Sequence, residues 1–187
     1  MAIEGGVPMT ELRGERVVLR SFRPEEIEEV LTWWGRETGY FRAPPDANEE
    51  HLRRRFALSG VMTRFELLLA IEGDGRLVGE IQGRRTEGSK PEGVFELGVE
   101  VYEPADRGKG YGTDATRLLT SHLFESEKAH RVQAWTAFEN EPMRRVLERV
   151  GFTFEGVLRG FRSTPEGLHD FAMYGITKGD WEKGETG

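Results

Sequence analysis

Glu96-Leu97-Gly98-Val99-Glu100-Val101-Tyr102-Glu103-Pro104-Ala105-Asp106-Arg107-Gly108-Lys109-Gly110-Tyr111-Gly112 is the stretch that decides the fold. It begins as a strand, because Leu97, Val99 and Val101 alternate with Glu96, Gly98, Glu100 and Tyr102, the period-2 pattern of a sheet with unlike faces. Pro104 stops the strand. Three glycines at alternate positions follow, with Arg107 and Lys109 among them, and then an amphipathic helix over 111–125. Strand, glycine loop and helix together present free backbone N–H groups and the positive end of a helix to an anion.

Working outward, the chain reads as one α/β domain. Upstream, a strand at 16–22 precedes a helix ending near Trp34, an irregular aromatic segment at 35–48, and a helix at 49–59. Two strands, 65–72 and 76–84, flank the turn Gly73-Asp74-Gly75, a hairpin signal. A looser connection leads to the strand at 94–102. Downstream come a strand at 131–137, a short helix opened by Asn140-Glu141-Pro142 and ended by Gly151, and two strands at 154–161 and 168–176. The helix at 111–125 is a crossover, so the strand at 131–137 is expected parallel to that at 94–102 in an otherwise antiparallel sheet. Residues 1–14 read as a tail, 15–177 as the domain, and 178–187 as a polar tail in which Trp181 folds back.

Composition bounds the function. The chain has 187 residues, 37% of them hydrophobic and 32% charged, with a net charge of −7. That balance argues against nucleic acid, whose binding needs clustered cations. No apolar run approaches the roughly 20 residues needed to cross a bilayer, and residues 1–10 lack the pattern of a signal peptide, so a cytoplasmic protein is expected. The chain has no cysteine, which removes thiolate ligands and a cysteine nucleophile. No His-x-x-x-His or carboxylate cluster suggests a metal.

Arg107-Gly108-Lys109-Gly110-Tyr111-Gly112 is neither a nucleotide P-loop nor the dinucleotide fingerprint Gly-x-Gly-x-x-Gly. It fits Arg/Gln-x-x-Gly-x-Gly/Ala. With the order of elements, Val17-Val18-Leu19-Arg20 in the opening strand, and Asn140 followed by Leu147-Glu148-Arg149-Val150-Gly151-Phe152, the chain resembles the GCN5-related N-acetyltransferase (GNAT) superfamily, RimJ/RimL-type branch.

The resemblance implies a mostly antiparallel sheet of six or seven strands with a splayed parallel pair. It also implies acetyl-coenzyme A as cosubstrate and direct transfer of acetyl to an amine: a protein N-terminus, a polyamine, an aminoglycoside or an amino acid. A homodimer is compatible with it. Arg107, Gly108, Lys109, Gly110, Tyr111, Gly112 and Thr113 would then hold the pyrophosphate, Glu100, Val101 and Tyr102 would pair with pantetheine, and Asn140 would bond near the sulfur. A carboxylate on the splayed strand would serve as base, with Glu96 and Glu100 as candidates and His169 and Asp170 as secondary ones. Independently of the resemblance, the aromatic segment around Trp34 and Tyr40 reads as an acceptor wall or lid, or equally as cover for the core. His122, on an apolar helix face, reads as a core residue.

The chain departs from the family where Ser or Tyr commonly donates a proton to the thiolate. Those positions are Met143 and Leu147. Tyr102, Tyr111, Thr136 or water would have to serve, or the thiolate, near the cysteine reference pKa of about 8.5, leaves unassisted. The alternative reading is an acyl-coenzyme A-binding or sensing module of the same fold with little turnover.

Overall fold

Eight strands form one sheet in the order β1-β2-β3-β4-β5-β6-β8-β7. The structure, a computed structural model, describes residues 9–34, 49–89, 92–165 and 167–185. The elements run β1 (Leu12–Arg13), β2 (Val17–Arg20), α1 (Glu26–Trp34), α2 (Glu49–Ala57), β3 (Glu66–Gly73), β4 (Arg76–Arg85) and β5 (Val94–Val101). They continue with a 3-10 turn (Pro104–Asp106), α3 (Tyr111–Glu125), β6 (Arg131–Ala137), α4 (Glu141–Val150), β7 (Thr153–Thr164), β8 (Gly167–Thr177) and α5 (Lys178–Glu185). Described structure therefore extends beyond 15–177 at both ends. β1 pairs with β2, and Trp181 of α5 is buried, its ring 6.0 Å from Phe124.

Strand alternation sorts the two faces. Odd-numbered residues of β5, such as Phe95 and Leu97, join Leu69, Ile71, Leu119, Leu123 and Val132 in the larger core beneath α3. The opposite face carries a smaller core of Phe22, Val30, Trp33, Phe56, Leu68 and Tyr102 under α1 and α2. Glu96 and Glu100 lie on that second face because they occupy even positions of β5, and Tyr102, just past its end, continues the alternation.

Every neighbouring pair of strands is antiparallel except β5 and β6. That parallel pair is matched only at Val94↔Arg131, Phe95↔Val132 and Glu96↔Gln133. Beyond Glu96, β5 stays with β4 as far as Gly79↔Val101, while β6 stays with β8 as far as Ala137↔Phe171. The sheet opens between them into a V.

Two buried carboxylates fix what borders this opening. Asp114, in the first turn of α3, accepts hydrogen bonds from the backbone N–H groups of Arg16 (2.7 Å) and Val17 (3.1 Å), tying the helix to the start of β2. Asp106 receives a bidentate bond from Arg76 (2.6 and 2.9 Å) and a bond from Lys109 (2.9 Å). These bonds hold its carboxyl down to about 2. Replacing Asp114 with Ala orphans two N–H groups and is expected to destabilise the fold by about 2–4 kcal/mol. Urea unfolding measures this, and Asp114→Asn, which keeps an acceptor, is expected to lose less.

Candidate active site

A cavity of about 710 Å³ fills the V and runs from the glycine loop to the second face of the sheet. Its walls are Leu97–Val101 of β5, Ala134–Thr136 of β6, the loop from Asp106 to Thr113 apart from Lys109, and Asn140, Pro142, Met143, Arg145, Val146 and Arg149 at and along α4.

At the loop end, Gly110 is the N-cap of α3. Its φ of 88° is left-handed and no side chain caps the helix. The first intrahelical bond runs from Asp114 N–H to Gly110 C=O, so the N–H groups of Tyr111, Gly112 and Thr113 have no partner within the helix. Gly112 lacks the positive φ that would call for glycine. A Cβ there would meet only Val101 Cγ2, at 4.0 Å. The protein's own packing thus does not require glycine at 112, and the space beside it opens into the cavity. A phosphate brought against three free N–H groups fits this place. Arg107 also lines the cavity, its guanidinium donating to Val101 C=O (3.3 Å) and Glu100 (3.4 Å).

In the middle of the slot the backbone of β5 supplies donors. Tyr102 N–H bonds Val78 C=O, so by antiparallel alternation the even residues of β5 direct their backbone groups at β4 and the odd residues direct theirs at β6. Past the last rung at Glu96↔Gln133, the N–H groups of Val99 and Val101 face the slot. Continuing the register, Thr136 lies across the gap from Val99. Its hydroxyl oxygen accepts from Asn140 Nδ2 (3.1 Å), while Asn140 Oδ1 caps α4 by accepting from Met143 N–H (3.3 Å).

At the far end Glu100 reaches the second face. Burial pushes its carboxyl up to about 7, against the pull of Arg107 and with the help of Glu80. Glu80 is its direct cross-strand partner and is itself 5% exposed. The Tyr102 hydroxyl donates to Glu80 (2.7 Å), and Arg55 lies 3.9 Å from the same carboxylate.

A family model described as an acetyltransferase (GNAT) domain matches residues 16–153. The chain belongs to the GNAT family. It is 27% identical to the SPbeta prophage-derived uncharacterized N-acetyltransferase YokL of Bacillus subtilis (strain 168) over 176 residues, 90% of this chain and 94% of that one. The GNAT-family acetyltransferase from Bacillus anthracis superposes with a TM-score of 0.72 at 24% identity, over 90% of this chain and 98% of that one. Mycobacterium smegmatis RimJ, solved in complex with CoA-disulfide, gives 0.68 at 24% identity over 92% and 88%. The GNAT fold uses acetyl-CoA, and the relatives are N-acetyltransferases.

Within this GNAT slot the structure brings together most of the residues picked out from sequence. Glu100, Val101, Arg107, Gly108, Gly110, Tyr111, Gly112, Thr113 and Asn140 all line it. Lys109 turns its ammonium onto Asp106 instead. The groups of Tyr102 are committed elsewhere: N–H to Val78, hydroxyl to Glu80, and C=O to Trp33 Nε1 (3.1 Å). The backbone of Tyr102 is therefore turned away from the slot, while that of Val99, read in the sequence only as one residue of the strand alternation, faces it. Glu96 sits at the apex with its carboxylate bonded to Trp135 Nε1 (2.8 Å).

Of the three hydroxyls considered as thiolate partners, Tyr102 is spent on Glu80 and Tyr111 donates to Asp74 (2.5 Å), so Thr136 remains. Met143 lines the slot and Leu147 is fully buried. His169 bonds Thr164 (2.9 Å), and Asp170 accepts from Gly160 N–H (2.7 Å). His122 is half-buried, and burial lowers its pKa. Tyr40 and the side chain of Trp34 lie outside the described residues.

Gly112→Ala separates folding from binding. Alanine in a helical position with open space is expected to leave the fold as stable as before, or up to about 1 kcal/mol more stable. Coenzyme A affinity in calorimetric titration is expected to fall about tenfold or more. Unchanged affinity in the folded variant would remove the first turn of α3 from the phosphate site.

Proposed function

We propose that this chain moves the acetyl group of acetyl-CoA directly to a primary amine, in the manner of RimJ/RimL-type enzymes, and that Glu100 is the base. The observation that carries this reading is the slot itself. It joins a helix N-terminus with free N–H groups to a carboxylate of near-neutral pKa through the gap between the parallel strands β5 and β6. The RimJ solved with CoA-disulfide has the same fold and supports the assignment of the slot to that cosubstrate.

Acetyl-CoA supplies the activated acyl group, and the chain's residues do the rest. The N–H groups of Tyr111, Gly112 and Thr113, with Arg107, bind phosphate. The N–H groups of Val99 and Val101 lie where an extended chain in the slot would meet them, and one of them can stabilise charge developing on a thioester oxygen. Thr136 keeps its hydroxyl proton because its oxygen is the acceptor toward Asn140, so it can donate to a departing sulfur. Glu100 receives the proton of the incoming ammonium.

Its pKa also favours one kind of amine. An α-amino group, at about 7.7–8.0, hands a proton to a carboxylate near 7 at little expense, whereas an alkylamine near 10.4 must do so across about 3 units. A protein N-terminus or another α-amine is the better-matched acceptor.

Glu100→Gln is expected to reduce kcat by about 10²- to 10⁴-fold while acetyl-CoA binding persists. In the wild type, kcat/KM for the acceptor should rise with pH along a limb near 7. Thiol release measured over a pH series with N-terminal peptides checks both. Saturable acetyl-CoA binding with no thiol release on any acceptor would favour the sensing module, a reading that Met143 and Leu147 keep open.

The same carboxyl affects stability in a defined direction. Its folded pKa lies above the ordinary 4.5, so ionising it opposes folding as pH rises through that window. Glu100→Gln is therefore expected to melt above the wild type at about pH 8 and level with it at about pH 4. Differential scanning fluorimetry at the two pH values measures this.

A further inference from the structure

On the second face of the sheet, across the slot from Glu100, stands a cluster of three rings. Trp135 of β6 lines the cavity. Its centroid lies 5.0 Å from Phe161 and 5.6 Å from Phe171, and the latter two are 5.4 Å apart. Phe171 is buried, but Phe161 is 48% exposed.

The placement of Phe161 is built rather than incidental. The pairing of β7 with β8 passes from Leu158↔Phe171 to Arg162↔His169, so three residues of β7 stand against Asp170 alone. Gly160 takes a φ of 60° within this bulge, and the Asp170 carboxylate accepts its N–H at 2.7 Å. A bulge bends its strand and re-aims a side chain, and here the re-aimed side chain is Phe161, laid edge-on against Trp135. The indole is fixed from the other side, since its N–H donates to Glu96. Phe161 is exposed although Phe171 beside it is buried, and the glycine bulge and a carboxylate hold it there. Through Trp135, which lines the cavity, the Phe161 ring continues an apolar surface outward from that side of the slot.

We infer that Phe161 and Trp135 form a specificity wall, and that the acceptor is an α-amine whose adjoining side chain is aromatic or large and aliphatic. The inference rests on the transfer reading above, with the nitrogen at Glu100 and the side chain against Phe161. A polyamine, which carries a charge every few bonds and no apolar group, is the substrate this wall serves worst.

The test uses the full chain with saturating acetyl-CoA. The acceptors are tripeptides beginning with phenylalanine, leucine or serine, together with phenylalanine amide and spermidine. The phenylalanine and leucine acceptors are expected to exceed the serine tripeptide and spermidine at least tenfold in kcat/KM. In Phe161→Ala and Phe161→Ser the ratio should shrink to about threefold or less, through acceptor KM, with the KM for acetyl-CoA unchanged. Trp135→Leu should move it in the same direction. A wild type that takes the serine tripeptide or spermidine equally well, or a ratio that Phe161→Ala leaves intact, overturns the inference.

If no acceptor is turned over, it is the transfer reading that fails. The wall is then read from tryptophan fluorescence titrated with phenylalanine amide in the presence of coenzyme A. A saturable change lost in Phe161→Ala supports the wall, and no saturable change overturns it.

Discussion

The structure depends on the parting of β5 and β6 after Glu96↔Gln133. An interrupted ladder inside a sheet is costly, because backbone N–H and C=O groups that neighbours would have satisfied are left without them. This chain does not close the gap with side chains. It keeps the strands apart by committing each to its outer neighbour, β5 to β4 through Val101 and β6 to β8 through Ala137. Asn140 then holds the far strand to α4, through one bond to Thr136 and one to Met143 N–H. The unpaired edge of β5 becomes a template for an extended ligand, by the logic of strand addition.

The loop at one end of the slot needs its own support, because six residues with three glycines carry little packing. Asp106 and Asp114 supply it. Both are buried, and each takes its bonds from more than one donor: Arg76 and Lys109 for the first, two backbone N–H groups of the opening strand for the second. Neither position announced a role in the sequence, where both read as ordinary loop and helix-start acids. Their effect is to fix Gly110 and the first turn of α3 before any ligand arrives, so less ordering remains to be done on binding.

What was legible in the sequence is what depends on local period. The helix over Tyr111–Glu125 and the strand over Arg131–Ala137 match their expected bounds, and the glycine loop lies where the alternation of β5 ends. The parallel relation of β5 to β6 followed from the handedness and length of a helical crossover. Less legible was everything that depends on which side chains meet across elements. Trp135 sits in an unremarkable strand beside Thr136, a hydroxyl that the sequence offered only as one of three, and the register across the gap brings both to the slot. Glu80 looked like one more sheet carboxylate until the pairing placed it opposite Glu100. The bulge at Gly160 left no signal that separates it from any glycine in a strand, and the pairing of Leu12–Arg13 is too short to show as alternation.

Glu100 shows why a carboxylate of near-neutral pKa is found on a half-buried sheet face and not in the open loop. Two like charges directly opposite in an antiparallel pair repel, and the surroundings of the two carboxylates differ. Glu80 has the Tyr102 hydroxyl at 2.7 Å and Arg55 nearby, donors that suit an ionised carboxylate. Glu100 has one guanidinium at 3.4 Å, a poorer bond to a side chain that is itself half-exposed. Burial raises the affinity of Glu100 for its proton to near neutrality, the range in which a base can both accept a proton from an ammonium and release it to water. Burial of Glu100 on the sheet face is the main physical origin of its raised pKa, and the carboxylate set opposite it adds a smaller push in the same direction.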